Sequence, residues 1–264
     1  MGDPVGETGF QAFAAHVVAE HDKLPPQLQR IAQFVLDNPG RVALMTIADL
    51  AEEIEVQPSG VIRFSKAVGY TGFSEIQRIL KEELSAPTSY EARLRTASDD
   101  GSELARAANL ADASLSALPS AADIARAADI LTGARIVHVV GFRRAFGTAS
   151  YLAYLLSGFQ APVRQFTGIG DMADTEMQTL HADDVLVAIS FPSYRPETRA
   201  VVAAARSVGT NLISITDSKL SPIARGAAQV LITDQQTDAG FRSVVGSMVT
   251  VQALALEYGR RRST

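Results

Sequence analysis

Cysteine is absent from the chain, so neither disulfides nor thiolate chemistry can take part in its folding or function. A chain without thiols suits a reducing compartment, and a cytoplasmic location is the expectation. Long apolar runs are lacking as well. No stretch is long enough to cross a membrane, and the opening residues MGDPVGETGF do not have the basic-then-apolar layout of a signal peptide. Nor is there an excess of positive charge: 24 Lys and Arg against 29 Asp and Glu leave a net charge of −5, which argues against a protein that coats nucleic acid regardless of sequence. What remains is a globular mixture, 47% hydrophobic and 20% charged over 264 residues, enough for one large domain or two ordinary ones.

The most informative stretch is TIADLAEEIEVQPSGVIRFSKAVGYTGFSEIQRI, from Thr46 to Ile79. Thr46 can cap a helix in which Ile47, Leu50, Ala51 and Ile54 share one face. Pro58 suits the first turn of a second helix, whose apolar positions Val61, Phe64 and Val68 run on until Gly69 stops it. Only Glu55, Val56 and Gln57 lie between, so the pair reads as a helix-turn-helix. The second helix turns Gln57, Ser59, Gly60, Ile62, Arg63 and Lys66 outward. Small residues allow close approach to a DNA groove, and Arg and Gln offer hydrogen bonds to bases or phosphates. An ordinary helical hairpin with a solvated face has the same periodicity. Charge is sorted between the two helices: Asp49, Glu52, Glu53 and Glu55 belong to the first, while Arg63, Lys66, Arg78 and Lys81 lie on and after the second.

Around this pair, residues 1–9 read as a disordered tail and Phe10 to His21 as an amphipathic helix. Leu24-Pro25-Pro26 breaks the chain, and Leu28, Ile31, Ala32 and Val35 carry another helix to Asn38-Pro39. Phe73, Ile76, Leu80 and Leu84 make a last helix, closing an all-α domain over residues 10–85. Residues 86–102 shift toward Ser, Thr, Asp and Gly and read as a linker, with a helical turn from Tyr90 to Arg95.

The run IAQFVLDNPGRVALMTIADLAEEIEVQPSGVIRFSKAVGYTGFSEIQRIL resembles the N-terminal domain of the RpiR family of bacterial transcription regulators. Its marks are the Asn38-Pro39 stop, the IADLA helix, the Val56-Gln57-Pro58-Ser59 turn, the Val61-Ile62-Arg63-Phe64 core, and Gly69-Tyr70-Thr71-Gly72-Phe73 leading to Glu75. The chain departs from the pattern at Glu55, where many members carry glycine, and at Gly60, where threonine or alanine is usual. The resemblance implies operator DNA as a partner, two-fold pairing into a homodimer or dimer of dimers, and DNA contacts from Gln57, Ser59, Arg63, Lys66 and Tyr70.

Residues 103–264 alternate between helical and strand patterns. Helices are expected over 103–118, from Ser120 onward, and near 171–180, 196–208, 219–227 and 242–258, with another after Gly141. The apolar runs near 135–140, 163–166, 185–190, 212–216 and 230–233 read as buried parallel strands. Together they imply an α/β doubly wound parallel sheet of the flavodoxin-like kind, in which ligands bind beyond the carboxyl ends of the strands. The loop Gly141-Phe142-Arg143-Arg144 is no dinucleotide fingerprint, since Arg143 stands where a second glycine is needed. Two arginines and several hydroxyls near helix N-termini suit a phosphate or carboxylate instead. Ser193, Glu197 and Thr198 can equally be helix caps.

Residues 120–260 resemble a SIS domain, the sugar-isomerase fold that follows the helix-turn-helix in RpiR regulators, with VVGFRRAF as its first ligand loop and AISFPSYRPET as its second. The resemblance implies a small anionic effector of the phosphosugar type held by Gly141, Arg143, Arg144, Ser190, Ser193 and Thr198. Ala145 stands where the first loop is expected to carry serine. Catalysis is not expected: His138 reads as a buried core residue, His181 lies in a polar turn, no serine sits in a nucleophile elbow, and no ligand-spaced cluster calls for a metal or cofactor. The expected function is a DNA-binding regulator whose SIS domain senses this metabolite. The alternative is a phosphosugar isomerase with a helical N-terminal appendage.

Overall fold

The structure is a computed structural model that describes residues 9–85, 102–192, 194–233, 237–238 and 241–263. The chain divides into two compact units, Met1–Asp99 with Thr237–Gly240, and Asp100–Gln236 with Phe241–Thr264. The first contains α1 (Gly9–Glu20), α2 (Pro26–Asp37), the single turn α3 (Pro39–Val42), α4 (Ile47–Glu53), α5 (Pro58–Ala67) and α6 (Phe73–Ser85). Most of their starts are written in local chemistry. Pro26, Pro39 and Pro58 occupy first turns, where a missing N–H leaves nothing unpaired. At α4 a capping box forms: Thr46 Oγ1 accepts from the Asp49 N–H and Asp49 accepts from the Thr46 N–H.

α5 packs against both α2 and α4, and α6 against α1 and α3. Phe13, Ile31, Leu50, Val61, Phe64, Ile76 and Leu80 are buried between them. Two breaks in the backbone sharpen the picture. Gly69, at φ 83, ends α5 as a glycine stop should. Glu55, in the turn between α4 and α5, is also left-handed, at φ 53. A side chain is strained there, and this is the position where the family pattern has glycine.

The second unit begins with α7 (Glu103–Leu115) and α8 (Ala121–Thr132), each opened by a serine side-chain cap, Ser102 and Ser120. Along the chain there follow β1 (Val137–Val140), α9 (Arg144–Gly158), β2 (Val163–Phe166), α10 (Ala173–Met177), β3 (Val185–Ile189), α11 (Pro196–Val208), β4 (Asn211–Thr216), β5 (Gln229–Ile232), the short β6 (Thr237–Asp238) and β7 (Phe241–Arg242), and α12 (Val245–Arg262). The sheet order is β2-β1-β3-β4-β5, all parallel. Alternate residues feed opposite faces: Val137, Val139, Val185, Val187 and Ile189 join the core under α8, α9 and α12, while Val140, Leu186 and Ala188 join that under α11. Burial on both faces explains why these strands read as continuous apolar runs.

Four expectations need correction. Gly60, expected on the outer face of the second helix, is buried where α2 packs against α5, near Gln27 and Ile31. Residues 219–227 form no helix; they make successive turns, with Ser221 N–H bonding to Ser218 O, Ala224 to Ser221 and Ala227 to Ala224. Pro222 and a left-handed Gly226, at φ 66, prevent a continuous ladder. The helix expected near 171–180 shrinks to α10 after a 3₁₀ turn at Ile169–Asp171. The helix expected to reach Leu118 ends at Leu115. The tail before Gly9, most of the 86–102 linker with its Tyr90–Arg95 turn, and Ser193 lie outside the described residues.

Candidate effector site and nucleic-acid interface

In a sheet ordered 2-1-3-4-5, the direction in which successive strands are added reverses between β1 and β3, leaving a crevice at their carboxyl ends. The two loops singled out in the sequence follow these two strands. After β1 the chain turns at Gly141, where a Cβ would sit 2.8 Å from the Ala145 carbonyl oxygen, so only glycine lets α9 start this close to the strand. Arg143, the N-cap of α9, is held at φ 55 and ψ −116 and makes no side-chain cap bond. Such a conformation in a non-glycine residue costs about 1–3 kcal/mol and collects at ligand sites. Arg143 and Arg144 are both exposed.

After β3, Ser190 is buried and its N–H is bound by the Ile215 carbonyl. Thr198 is fully buried near the start of α11, yet its hydroxyl has no partner. The capping alternative therefore fails for Thr198, and the N-cap of α11, Arg195, makes no side-chain cap bond either. Glu197 is exposed and lies 3.6 Å from the Arg195 guanidinium.

The carboxyl ends of β4 and β5 add groups outside the ligand set expected from the sequence. Asp217, directly after β4, accepts from the Tyr194 hydroxyl at 2.9 Å and the Thr216 hydroxyl at 3.1 Å. Burial nevertheless pushes its carboxyl above the usual carboxylate range. Thr233, directly after β5, is buried with its hydroxyl unpartnered. The available signal was position alone: each is the first residue past a strand.

At the amino ends of the same strands the polar groups converge on one carboxylate oxygen, Asp184 Oδ2, while Oδ1 is buried without a partner. His138, 1% exposed in β1, lies 3.0 Å from Asp184, which also accepts from Arg135 at 2.8 Å and from the His181 N–H at 3.0 Å. Burial holds the His138 imidazole below its usual value, against the pull of Asp184. Asp184 is itself lowered: burial opposes its charge, but the bonds from His138, the His181 backbone and Arg135 outweigh it. His181 is exposed. Among the described residues no group of three or more His, Asp or Glu side chains has the arrangement to hold a metal ion, and no helix is long and apolar enough to cross a membrane.

In the first unit, Gln57 is the N-cap of α5 and makes no side-chain cap bond. Gln57, Ser59, Arg63 and Lys66 are exposed on α5 and its cap, together with Ile62, which is 42% exposed. Tyr70 is half-buried, with its ring edge-on to Phe13 at 5.6 Å and its phenol pushed up by burial and by Glu75. The Arg63 guanidinium donates to Gln27 Oε1 at 3.1 Å, a link across 36 residues that helical periodicity cannot show.

Comparison with known proteins agrees with this two-part build. A family model described as "Helix-turn-helix domain, rpiR family" matches residues 6–87, and one described as "SIS domain" matches residues 130–257. The HTH-type transcriptional regulator HexR of Pseudomonas aeruginosa is 27% identical over 221 residues, covering 80% of this chain and 74% of its own. The Bifunctional protein glk of Paraburkholderia xenovorans is 28% identical over 258 residues, 92% of this chain but only 39% of that longer protein. Among solved structures, the Vibrio vulnificus NanR protein complexed with ManNAc-6P superposes with a TM-score of 0.58 at 20% identity, covering 94% of this chain and 92% of NanR. The sugar isomerase domain of an RpiR transcription factor from Sphaerobacter thermophilus gives 0.55 at 24% identity, covering 61% of this chain and 89% of that domain. With the rpiR-type helices in front and the SIS domain behind, the chain belongs to the RpiR family of helix-turn-helix transcription regulators.

Proposed function

We propose that this chain is a transcription regulator that reads operator DNA with α5 and senses a small anionic metabolite, of the phosphosugar class, at the carboxyl ends of β1 and β3. The observation that carries the effector half is the buried, unpartnered hydroxyl of Thr198 near the start of α11, the helix that follows β3 at the switch point of the sheet. A buried hydroxyl without a partner is costly, and a ligand oxygen would supply one. The first turns of α9 and α11 add N–H groups suited to an anion, and Arg143, Arg144 and Ser193 complete the proposed ligand set. That NanR is described with ManNAc-6P supports the phosphosugar class. For the DNA half, the proposed contacts are Gln57, Ser59, Arg63, Lys66 and Tyr70, with exposed Ile62 suited to a thymine methyl. Two-fold pairing would present two reading helices to two half-sites. Catalysis is not part of this reading, because His138 is locked to Asp184 at the opposite end of the sheet from these loops.

The test is fluorescence anisotropy of the full chain with the duplex upstream of its own gene, at two salt concentrations, with and without a panel of sugar phosphates. Tight binding that weakens with salt, collapses in Arg63→Ala and shifts with one sugar phosphate, but no longer shifts in Thr198→Val, is the expected result. Binding no better than to random DNA, or turnover of aldose and ketose phosphates, would move the isomerase reading to the front.

A further inference from the structure

We propose that Gln27, on α2, is a positioning residue that sets the orientation of Arg63 for base reading; this rests on the reading above that Arg63 meets DNA. Two independent features of the structure point to it. The first is the hydrogen bond itself: Gln27 Oε1 accepts from Arg63 Nη2 at 3.1 Å. A guanidinium carries five N–H donors in a rigid plane, so one given to Gln27 fixes the plane and leaves enough for a two-pronged contact with a guanine edge. Without such a brace a long arginine side chain on a helix surface samples many rotamers and must lose that freedom on binding.

The second feature is Gly60. A Cβ there would lie 3.6 Å from the Gln27 amide nitrogen and 3.7 Å from Ile31 Cδ1, so the glutamine side chain runs over the surface of α5 at that point. Residues 60 and 63 are three apart on one helix and lie on the same face. The glycine leaves open the lane along which Gln27 reaches Arg63. A methyl group fits at ordinary contact distance, but a branched side chain would close the lane. Gln27 itself is held in place as the second residue of α2, directly after Pro26 and with Pro25 as N-cap. The brace therefore belongs to the packing of α2 against α5 rather than to two free side chains.

The experiment uses the full chain and an operator obtained by selection from a randomised duplex library. Affinity, salt dependence and base preference are then measured for Gln27→Ala, Arg63→Ala, the double variant and Gln27→Glu, with the melting temperature of each recorded. Gln27→Ala is expected to weaken operator binding about fivefold and to relax preference at the same base pair that Arg63→Ala relaxes, with the slope of affinity against salt unchanged. In the Arg63→Ala background it is expected to add nothing, since the two act as one unit. Gln27→Glu, which keeps the acceptor, is expected to restore the base preference.

Three results would overturn the proposal. The first is an undiminished Gln27→Ala, and the second is an equal loss in the Arg63→Ala background. The third is a salt slope reduced by about one, the mark of a direct phosphate contact. An Arg63→Ala protein that binds the selected operator like the parent would instead remove the DNA reading of Arg63, and this proposal with it.

Discussion

Among the described residues three side chains, on Glu55, Arg143 and Gln160, sit in backbone conformations that favour glycine, and the settings of the first two differ. Glu55 at φ 53 joins α4 to α5, is exposed, and sits where the family pattern has glycine. Its strain serves nothing visible in the turn, so Glu55→Gly is expected to stabilise the first unit by about 0.5–1 kcal/mol, read as a higher urea midpoint with an unchanged slope. Arg143, at φ 55 and ψ −116, caps α9 beside the proposed effector crevice. There the glycine substitution should separate stability from function. Arg143→Gly is expected to raise stability by about 1 kcal/mol while weakening sugar-phosphate binding at least tenfold, measured by calorimetric titration. Unchanged binding would remove Arg143 from the ligand set. The family pattern marked Glu55 as a departure, and Arg143 stood where a dinucleotide loop needs its second glycine. Only the dihedral angles show that each is a side chain placed where a hydrogen is wanted.

At the scale of helices and strands, local signals decided most of what could be read in advance. The reading pair was legible because Thr46, Pro58 and Gly69 punctuate a 3.6-residue period, and the sheet because strands buried on both faces leave unbroken apolar runs. Legibility failed where punctuation outweighed composition. Residues 219–227 have helix-like apolar content, yet Pro222 and Gly226 turn them into a chain of tight bends. The sites were legible only as loops. The unpartnered hydroxyls of Thr198 and Thr233, the Tyr194 to Asp217 bond and the Gln27 to Arg63 bond all depend on tertiary neighbours that no spacing encodes. β1 also carries a prediction of its own. The pKa of buried His138 is lowered on folding, so folding holds it neutral while the unfolded chain takes up a proton below about pH 6.5. Above that pH the group contributes no penalty. Stability is therefore expected to fall as pH drops from 6.5 toward the depressed folded value. The substitution His138→Gln, which removes the titrating group, should flatten that decline in urea titrations at pH 7.5 and 5.5. Asp184 acts lower down: its depressed pKa gives stability present above about pH 4 and lost as pH falls further.

For the molecule as a whole, the two compact units set the terms of regulation. A sugar phosphate that binds only the folded second unit should stabilise it by about 2.7 kcal/mol at a hundredfold excess over its dissociation constant. Without DNA, the first unit's unfolding is expected to stay where it was, which scanning calorimetry of the full chain can resolve. If the effector alters operator affinity by a given factor, the operator must alter effector affinity by the same factor, a reciprocity that titrations in both orders can check. In mechanical terms, β1 is a short beam. Its four residues span roughly 13 Å, bonded along both edges by β2 and β3, clamped at the foot by the Asp184 cluster and carrying the Gly141 loop at the tip. A beam so short and so fully fastened does not flex. Whatever an effector does at the tip must be passed on sideways, through the first turns of α9 and α11, and those are the places to look for motion.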